Sequence, residues 1–219
     1  MVEVSTSILS VDKNNSLGVF YNLEVAKTDY FHIDVMDGEF VENNTANLMQ
    51  EYCNQIKQIS NLPLDVHLMV KDIKTFINSY IPYAPSNVTF HLEACKSKEE
   101  VIDLIKYIKE NNIKVGLSIK PSTKVEELYE YLPYIHRVLI MTVEPGYGGQ
   151  SLIPETIDKV KKLKEYIEKN NIELDIEVDG GINIENAGIL KNAGANIIVA
   201  GTAIINSKDF KEAINTIKE

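Results

Sequence analysis

The sequence predicts an α/β fold, a single (β/α)₈ barrel, from three observations. Short runs of β-branched and aliphatic residues alternate with longer stretches of helical periodicity along the whole chain. There are eight such pairs, the number that closes a barrel, and 219 residues suit a compact one. No segment rich in proline, glycine and serine interrupts the series, so residues 1–219 are expected to form one domain. An open doubly wound sheet is the alternative, although its Gly-x-Gly-x-x-Gly fingerprint is absent after the first strand.

Each element is predicted from a local pattern. The predicted strands are Glu3–Leu9, Tyr30–Val35, Pro63–Met69, Asn87–Leu92, Lys114–Ile119, Arg137–Met141, Glu173–Val178 and Ile197–Ala200. The predicted helices lie near Gly18–Lys27, Leu48–Ile59, Ile73–Tyr80, Lys98–Asn111, Val125–Leu132, Glu155–Asn170, Ile184–Asn192 and Asp209–Lys218. Ser97 and Pro154 mark the starts of the fourth and sixth helices, and asparagine pairs at 111–112 and 170–171 end them.

Composition narrows the range of partners. The hydrophobic fraction of 44% is that of a globular protein with a substantial core. A formal charge of −10 disfavours nucleic acid or an anionic membrane as the main partner. No apolar run is long enough to span a bilayer, and the N-terminal Met-Val-Glu-Val-Ser lacks the blocks of a signal peptide. Cys53 and Cys95 are too few for a disulfide framework, so we interpret both as reduced packing thiols of a cytoplasmic protein.

The second predicted strand carries the first candidate site residues. Tyr30–Gly38 reads Tyr-Phe-His-Ile-Asp-Val-Met-Asp-Gly, and its period of two gives the strand two different faces. One face is aliphatic or aromatic, whereas the other presents His32, Asp34 and Met36. His32 and Asp34 point the same way from adjacent pleats, so both can reach one ion or one substrate. A core histidine satisfied by a nearby aspartate is the alternative.

Other strands repeat this arrangement. In the third strand Asp65, His67 and Met69 share a face, again two polar side chains followed by a methionine. The fourth strand adds His91, for which catalytic, supporting and structural roles all stay open. In the first strand Ser7 can donate to a substrate hydroxyl, although a hydrogen bond to the local backbone is the favoured alternative.

The last three strands each end at glycines. Glycine allows backbone conformations closed to other residues and lets a ligand approach the chain closely. Such loops offer N–H groups to a phosphate, and barrels often build a phosphate site at their last two strands. One loop could be a plain flexible turn, but three at successive strand ends favour a phosphate site. Its expected residues are Gly146, Tyr147, Gly148, Gly149, Gly180, Gly181, Gly201 and Thr202.

The inward-facing polar residues suit a metal ion and proton transfer. The candidate ligands are His32, Asp34, His67 and Asp179. Two imidazoles and two carboxylates suit Zn²⁺, Fe²⁺, Mn²⁺ or Co²⁺, and leave room for two oxygens of a ketose whose enediolate the ion stabilises. Asp34 and Asp179 come from distant strands, so one can remove a proton and the other can return one to the opposite face. That exchange inverts a stereocentre.

Three methionines follow the polar residues in phase. Met36, Met69 and Met141 are expected just above the ion, where thioethers can exclude water from the enediolate. Plain packing by methionine is the alternative.

At these residues the chain resembles the ribulose-phosphate 3-epimerase family. The matching segments are Ser7-Ile-Leu-Ser, His32-Ile-Asp-Val-Met-Asp-Gly, Asp65-Val-His-Leu-Met-Val, His91-Leu-Glu-Ala, Gly116-Leu-Ser-Ile-Lys-Pro, Met141-Thr-Val-Glu-Pro-Gly-Tyr-Gly-Gly-Gln, Glu177-Val-Asp-Gly-Gly-Ile and Ala200-Gly-Thr-Ala-Ile. They run in order over essentially the whole chain. The resemblance implies a TIM barrel that interconverts D-ribulose 5-phosphate and D-xylulose 5-phosphate with one divalent metal, in a homo-oligomer. It also implies that Asp34 and Asp179 are the acid/base pair and that Ser7 and His67 contact the substrate.

Two segments depart from the family pattern. Thr6 stands where the family usually has proline, and the loop that begins Phe40-Val-Glu-Asn-Asn-Thr lacks the usual proline and glycine. That loop bears on gating, substrate length and assembly rather than on proton chemistry. A six-carbon substrate such as D-allulose 6-phosphate is therefore the nearest alternative. A non-catalytic barrel that senses a sugar phosphate is a second, and a barrel lyase or decarboxylase, which normally needs a catalytic lysine at a strand end, is a third.

Overall fold

A computed structural model describes residues 2–219, and within that range eight parallel strands close into a barrel in which each strand pairs with the next and the last with the first. The strands are β1 (Glu3–Ser7), β2 (Tyr30–Met36), β3 (Leu64–Met69), β4 (Asn87–His91), β5 (Lys114–Ile119), β6 (Arg137–Met141), β7 (Asp175–Asp179) and β8 (Ile197–Ala200). The helices are α1 (Ser16–Val25), α2 (Ala46–Ile59), α3 (Ile73–Tyr80), α4 (Lys98–Glu110), α5 (Thr156–Lys169), α6 (Ala187–Ala193), α7 (Thr202–Ile205) and α8 (Phe210–Lys218). The predicted fold class is confirmed.

The prediction of a helix over Val125–Leu132, between β5 and β6, is wrong. Two short 3₁₀ segments, Val125–Leu128 and Leu132–Tyr134, make this connection instead. Pro133 explains the difference, because proline lacks an N–H group and disfavours helical geometry in the residue before it.

The start of α6 also differs from the prediction. Helical periodicity suggests a start at Ile184, whereas the helix begins at Ala187. The side chain of Asn183 accepts hydrogen bonds from the N–H groups of Glu185 and Asn186, and this local turn takes the place of the first helical turn.

The predicted helix boundaries hold where side chains cap the chain. The hydroxyl of Ser97 accepts a hydrogen bond from the Glu100 N–H group at the start of α4. Asn112 and Asn171 follow α4 and α5 with φ of 59° and 52°, a left-handed conformation that asparagine tolerates and that ends a helix.

Alternation along the strands separates two environments. Outward side chains such as Phe31, Ile33 and Val66 are fully buried against the helices. Inward positions of the same strands hold polar and charged groups, which are also buried, so the barrel interior is polar rather than apolar. Cys53 and Cys95 are free thiols, and burial raises the pKa of each to about 12. Among residues 2–219, no helix combines the length and apolar character needed to cross a membrane.

Candidate active site

Four predicted site residues converge inside the carboxyl end of the barrel. His32 and Asp34 lie on β2, His67 on β3 and Asp179 at the end of β7. Asp34 pairs in register with His67, so these two side chains lie at the same height. One ligand atom from each of the four residues lies within 4.8 Å of the corresponding atom of every other.

The two imidazoles and the two carboxylates face one point. Asp34 Oδ1 is 3.4 Å from both His32 Nε2 and His67 Nδ1. Asp179 Oδ2 is 3.8 Å from His32 Nε2 and 3.6 Å from His67 Nδ1. Ligands held about 2.1 Å from a shared ion lie roughly 3–4 Å apart, which is the spacing found here. All four side chains are buried or nearly so, since even Asp179 is only 15% exposed.

The outer hydrogen bonds fix which nitrogen each histidine presents. His32 Nδ1 donates to Asp65 Oδ2 at 2.9 Å, which leaves Nε2 as the bare nitrogen. His91 Nδ1 donates to Glu93 at 3.1 Å, so His91 Nε2 accepts from His67 Nε2 at 3.0 Å and leaves His67 Nδ1 bare. Within residues 2–219, His32 Nε2 and His67 Nδ1 are buried and make no hydrogen bond. Two bare nitrogens and two carboxylate oxygens that face one point fit a divalent transition metal.

The cluster stabilises positive charge. Burial disfavours a charged imidazole, but the carboxylates of Asp34 and Asp65 outweigh it and raise the pKa of His32 well above its ordinary value. His32 Nε2 therefore holds a proton when no cation is bound, and is a bare ligand nitrogen only when a cation takes the place of that proton. Burial would likewise raise the pKa of Asp34, yet the two histidines hold it well below its usual range. Asp34 is therefore a carboxylate at neutral pH, as both a metal ligand and a base must be.

His91 lies behind His67 rather than in the pocket. It is fully buried, and burial lowers its pKa to about 4, so it is neutral and can accept the hydrogen of His67. Glu93 also accepts hydrogen bonds from the Lys120 N–H group, at 2.7 Å, and from the Thr123 hydroxyl. Of the three roles left open by the sequence, this placement favours the supporting one.

Ser7 touches the cluster directly. Its hydroxyl donates to Asp34 Oδ2 at 2.7 Å, so the two oxygens of Asp34 serve different partners. The alternative of a purely local backbone partner is not what the structure shows, although the Leu9 N–H group does reach the same hydroxyl at 3.4 Å. Gly201 packs against Ser7, because a Cβ on it would lie 3.1 Å from the Ser7 Cβ.

A pocket of about 290 Å³ opens above the cluster. His32 and His67 lie beneath this pocket, and all the other predicted site residues are in its wall. Those wall residues are Ser7, Asp34, Met36, Met69, Met141, Gly146, Tyr147, Gly148, Gly149, Asp179, Gly180, Gly181, Gly201 and Thr202. As far as residues 2–219 describe this lining, it holds no lysine or arginine. An anion here would rely on backbone N–H groups, for which the three glycine loops are suited.

Two of these glycines are required by sterics. Gly180 has φ of 120°, and a Cβ would lie 2.3 Å from Val143 Cγ2. Gly181 has φ of 67°, and a Cβ would lie 2.4 Å from the Leu152 N atom. A side chain at either position would displace the loop after β6 from the loop after β7.

The loop after β2 reaches across the mouth to the loop after β6. Tyr147 donates its hydroxyl hydrogen to Glu42 Oε2 at 3.1 Å, and Val41 packs beside Gly146. Phe40 packs against His91 with ring centroids 4.9 Å apart and ring planes tilted by 44°. The segment that departs from the family pattern is thus part of the pocket rim.

Sequence reasoning missed a charged layer beneath the site. Asp65 and Glu177 are visible in the strand periodicity, but their partner Arg137 is not among the predicted site residues. Arg137 Nη1 lies 2.9 Å from Asp65 Oδ1 and 3.3 Å from Glu177 Oε2. The sequence does contain a signal for Arg137, because it lies four residues before Met141 on β6 and so shares the inward face of that strand.

The chain matches known proteins along its length. The model of the ribulose-phosphate 3 epimerase family matches residues 3–205. The ribulose-phosphate 3-epimerase of Methanocaldococcus jannaschii is 36% identical over 219 residues, which span 100% of this chain and 91% of the relative. The Bacillus subtilis enzyme of the same name is 37% identical over 100% of this chain and 99% of the relative. The Escherichia coli K12 enzyme of the same name is 35% identical over 98% of this chain and 94% of the relative.

Solved structures at low identity support the fold alone. A crystal structure of 3-hexulose-6-phosphate synthase superposes with a TM-score of 0.69 at 12% identity, over 99% of this chain and 98% of that one. A crystal structure of KGPDC from Streptococcus mutans gives a TM-score of 0.67 at 13% identity, over 100% of this chain and 96% of that one.

Proposed function

The chain belongs to the ribulose-phosphate 3-epimerase family and is an isomerase that acts on carbohydrates, and from this premise we propose that it inverts C3 of D-ribulose 5-phosphate to give D-xylulose 5-phosphate. The observation that carries the proposal is the convergence of Asp34 and Asp179. These carboxylates come from β2 and β7, which β1 and β8 separate in the barrel, and both line the floor of one pocket. A substrate carbon seated between them has one carboxylate on each face.

The proposed reaction is a proton exchange between two faces of C3. Either Asp34 or Asp179 removes the C3 proton as a carboxylate. The other, in its carboxylic acid form, donates its own proton to the opposite face, so the two side chains exchange protonation states in each turnover. Ser7 holds one oxygen of Asp34 by its hydrogen bond, which orients the carboxylate toward the substrate. We assign Met36, Met69 and Met141 to an apolar cap that keeps water away from the enediolate.

His32, Asp34, His67 and Asp179 would hold one divalent metal ion. The ion is proposed as Zn²⁺, Fe²⁺, Mn²⁺ or Co²⁺, since the donor set suits each. When bound, it supplies electrophilic stabilisation of the carbonyl and the neighbouring oxygen. The supporting observations are the two bare histidine nitrogens and the spacing of the four ligand atoms.

The phosphate group is proposed to lie against the three glycine loops. The residues assigned to this role are Gly146, Tyr147, Gly148, Gly149, Gly180, Gly181, Gly201 and Thr202, with Ser7 nearer the sugar. His67 is fully buried and is proposed to act on the substrate through the metal ion that it would hold. Asp34 and the three glycine loops line the same pocket, so one ligand can contact both.

The barrel is proposed to act as a single catalytic domain in a cytoplasmic homo-oligomer. Its free cysteines support a reducing compartment. Leu17, Tyr21 and Val25 recur every four residues on α1 and are 48%, 60% and 57% exposed, which supports self-association. Light scattering on the purified protein measures the subunit number.

Deuterium incorporation tests the proposed reaction. The protein, loaded with Co²⁺, is incubated in D₂O with D-ribulose 5-phosphate, and xylulose 5-phosphate carrying deuterium at C3 is expected. Binding of the sugar phosphate without exchange would instead make the barrel a sensor. Faster turnover of D-allulose 6-phosphate than of the pentose phosphate would overturn the assigned substrate.

A further inference from the structure

Arg137 is the only arginine in a chain that has 22 lysines and arginines in total. It begins β6 and points into the barrel, where it is 2% exposed. A basic side chain is almost never fully buried unless it is paired. A chain that uses lysine elsewhere therefore places its one arginine beneath the active site.

The guanidinium joins two carboxylates that border His32. Arg137 Nη1 lies 2.9 Å from Asp65 Oδ1 and 3.3 Å from Glu177 Oε2. Asp65 also accepts hydrogen bonds from the Ser5 hydroxyl at 2.9 Å and from the Asn87 side chain at 3.0 Å. Asp65 is thus held on both oxygens.

His32 has two carboxylates within reach of its Nδ1 atom. Asp65 Oδ2 lies at 2.9 Å and Glu177 Oε1 at 3.9 Å. Rotation of His32 toward Glu177 would turn Nε2 away from Asp34 and Asp179. Arg137 contacts Asp65 Oδ1 and Glu177 Oε2, which holds the two carboxyl groups in the orientation in which Asp65 Oδ2 is the nearer acceptor for His32 Nδ1.

The same residues form a second group with the spacing of metal ligands, namely His32, Asp65 and Glu177. The guanidinium contacts two of the three and supplies the positive charge that this group needs. An arginine suits this task better than a lysine because it stays charged when buried, and its Nη1 group alone contacts both carboxyl groups.

We propose that Arg137 is a positioning residue of the metal centre, which orients His32 through Asp65 so that His32 Nε2 faces the cation. The inference rests on the proposed metal-dependent function. It concerns how tightly and in what geometry the four ligands hold the ion. Residues that orient metal-binding histidines typically change metal affinity by about 10–100-fold when they are removed.

The test measures Co²⁺ affinity and the visible absorption spectrum of the Co²⁺ protein. Arg137→Met keeps an unbranched apolar stem but removes the guanidinium, and is expected to weaken Co²⁺ binding by about 10–100-fold and to alter the spectrum. Arg137→Lys keeps one charge and is expected to fall between Arg137→Met and the original protein. Val138→Ala is the matched control, because Val138 is the next residue on β6, is fully buried and packs on the outer face of the strand.

The outcomes distinguish failure of the positioning role of Arg137 from failure of the proposed metal site. Weaker binding in Arg137→Met but unchanged binding in Val138→Ala supports the inference. Binding within twofold of the original protein in a folded Arg137→Met overturns it. If Arg137→Met does not fold, Arg137→Lys decides, and binding equal to that of the original protein overturns the inference. Absence of Co²⁺ binding in the original protein would instead overturn the metal site itself.

Discussion

The assignment of one carboxylate to each face of C3 predicts a split phenotype for two isosteric variants. Asp179→Asn and Asp34→Asn each remove one base and leave the side-chain volume unchanged. Epimerisation needs both carboxylates, so it is expected to fall by about 10²–10⁴-fold in each variant, the usual contribution of one general acid or base. Proton exchange at C3 without inversion needs only one carboxylate.

The structure indicates that the remaining carboxylate stays in place. In Asp179→Asn, Asp34 keeps its 2.7 Å hydrogen bond from Ser7 and its neighbours His32 and His67. Asp179 itself lies at the end of β7 and is 15% exposed, so its replacement should leave the barrel folded. Each variant should therefore exchange the C3 proton of one epimer only, and the two variants should exchange opposite epimers.

The assay follows loss of the C3 proton from D-ribulose 5-phosphate and, separately, from D-xylulose 5-phosphate by NMR in D₂O. Co²⁺ is kept at saturation and its occupancy is measured, because both aspartates are candidate ligands. Asp175→Asn is the control, since Asp175 begins the same strand and accepts a hydrogen bond from the Asn196 side chain at 2.7 Å, at the other end of the barrel. Exchange of the same epimer by both variants, or epimerisation by Asp179→Asn near the original rate, would refute the two-face assignment.

Two further predictions concern the supports of the site. Glu93 is 21% exposed and its contacts with His91, Lys120 and Thr123 outweigh the effect of burial, lowering its pKa from 4.5 to about 2. The stabilisation is therefore fully present above pH 4.5 and is lost as the pH falls through 2, so Glu93→Gln should lower the free energy of unfolding by on the order of 3 kcal/mol at pH 7 and by roughly half as much at pH 3. Urea denaturation at both pH values measures this, and an equal loss at both would contradict the ionic role of Glu93. Gly181→Ala should raise KM at least tenfold because its Cβ would lie 2.4 Å from the Leu152 N atom. Gly188→Ala, on α6 with no atom within 4 Å of its Cβ, should leave KM unchanged. Steady-state kinetics compare the two variants, and equal KM values would count against the loop contact.

The sequence predicts the catalytic layer better than the layer beneath it. A period of two identifies inward residues without any knowledge of register, and glycines after successive strands point to the same end of the barrel. The pairing of Arg137 with Asp65 joins β6 to β3 across the interior, and its distance depends on strand stagger and barrel diameter. Neither is encoded in the local pattern, so the phase of Arg137 predicts that it points inward but not which residues it contacts.

The interior of this barrel is built in layers that follow from the period of two. On β3, Asp65, His67 and Met69 occupy three successive inward positions, and on β6 the same positions begin with Arg137 and end with Met141. The lowest layer buries charges, which costs desolvation energy that ion pairing only partly offsets. In the catalytic layer above it, His32 must direct its Nδ1 hydrogen toward the lower layer, and the Asp65 carboxylate accepts that hydrogen.

This trade-off is testable in one combined variant. Replacing the lower layer with Asp65→Leu, Arg137→Met and Glu177→Leu removes every buried charge beneath His32 without leaving one unpaired. Apolar residues of similar volume often replace buried ion pairs at no loss, but Asp65→Leu also leaves the Ser5 hydroxyl and the Asn87 amide without an acceptor. The two effects oppose each other, so the free energy of unfolding should change by less than about 2 kcal/mol. Co²⁺ affinity should fall at the same time, because His32 loses the acceptor of its Nδ1 hydrogen. A variant that is destabilised yet binds Co²⁺ as tightly as the original protein would show that the charged layer serves folding rather than the site.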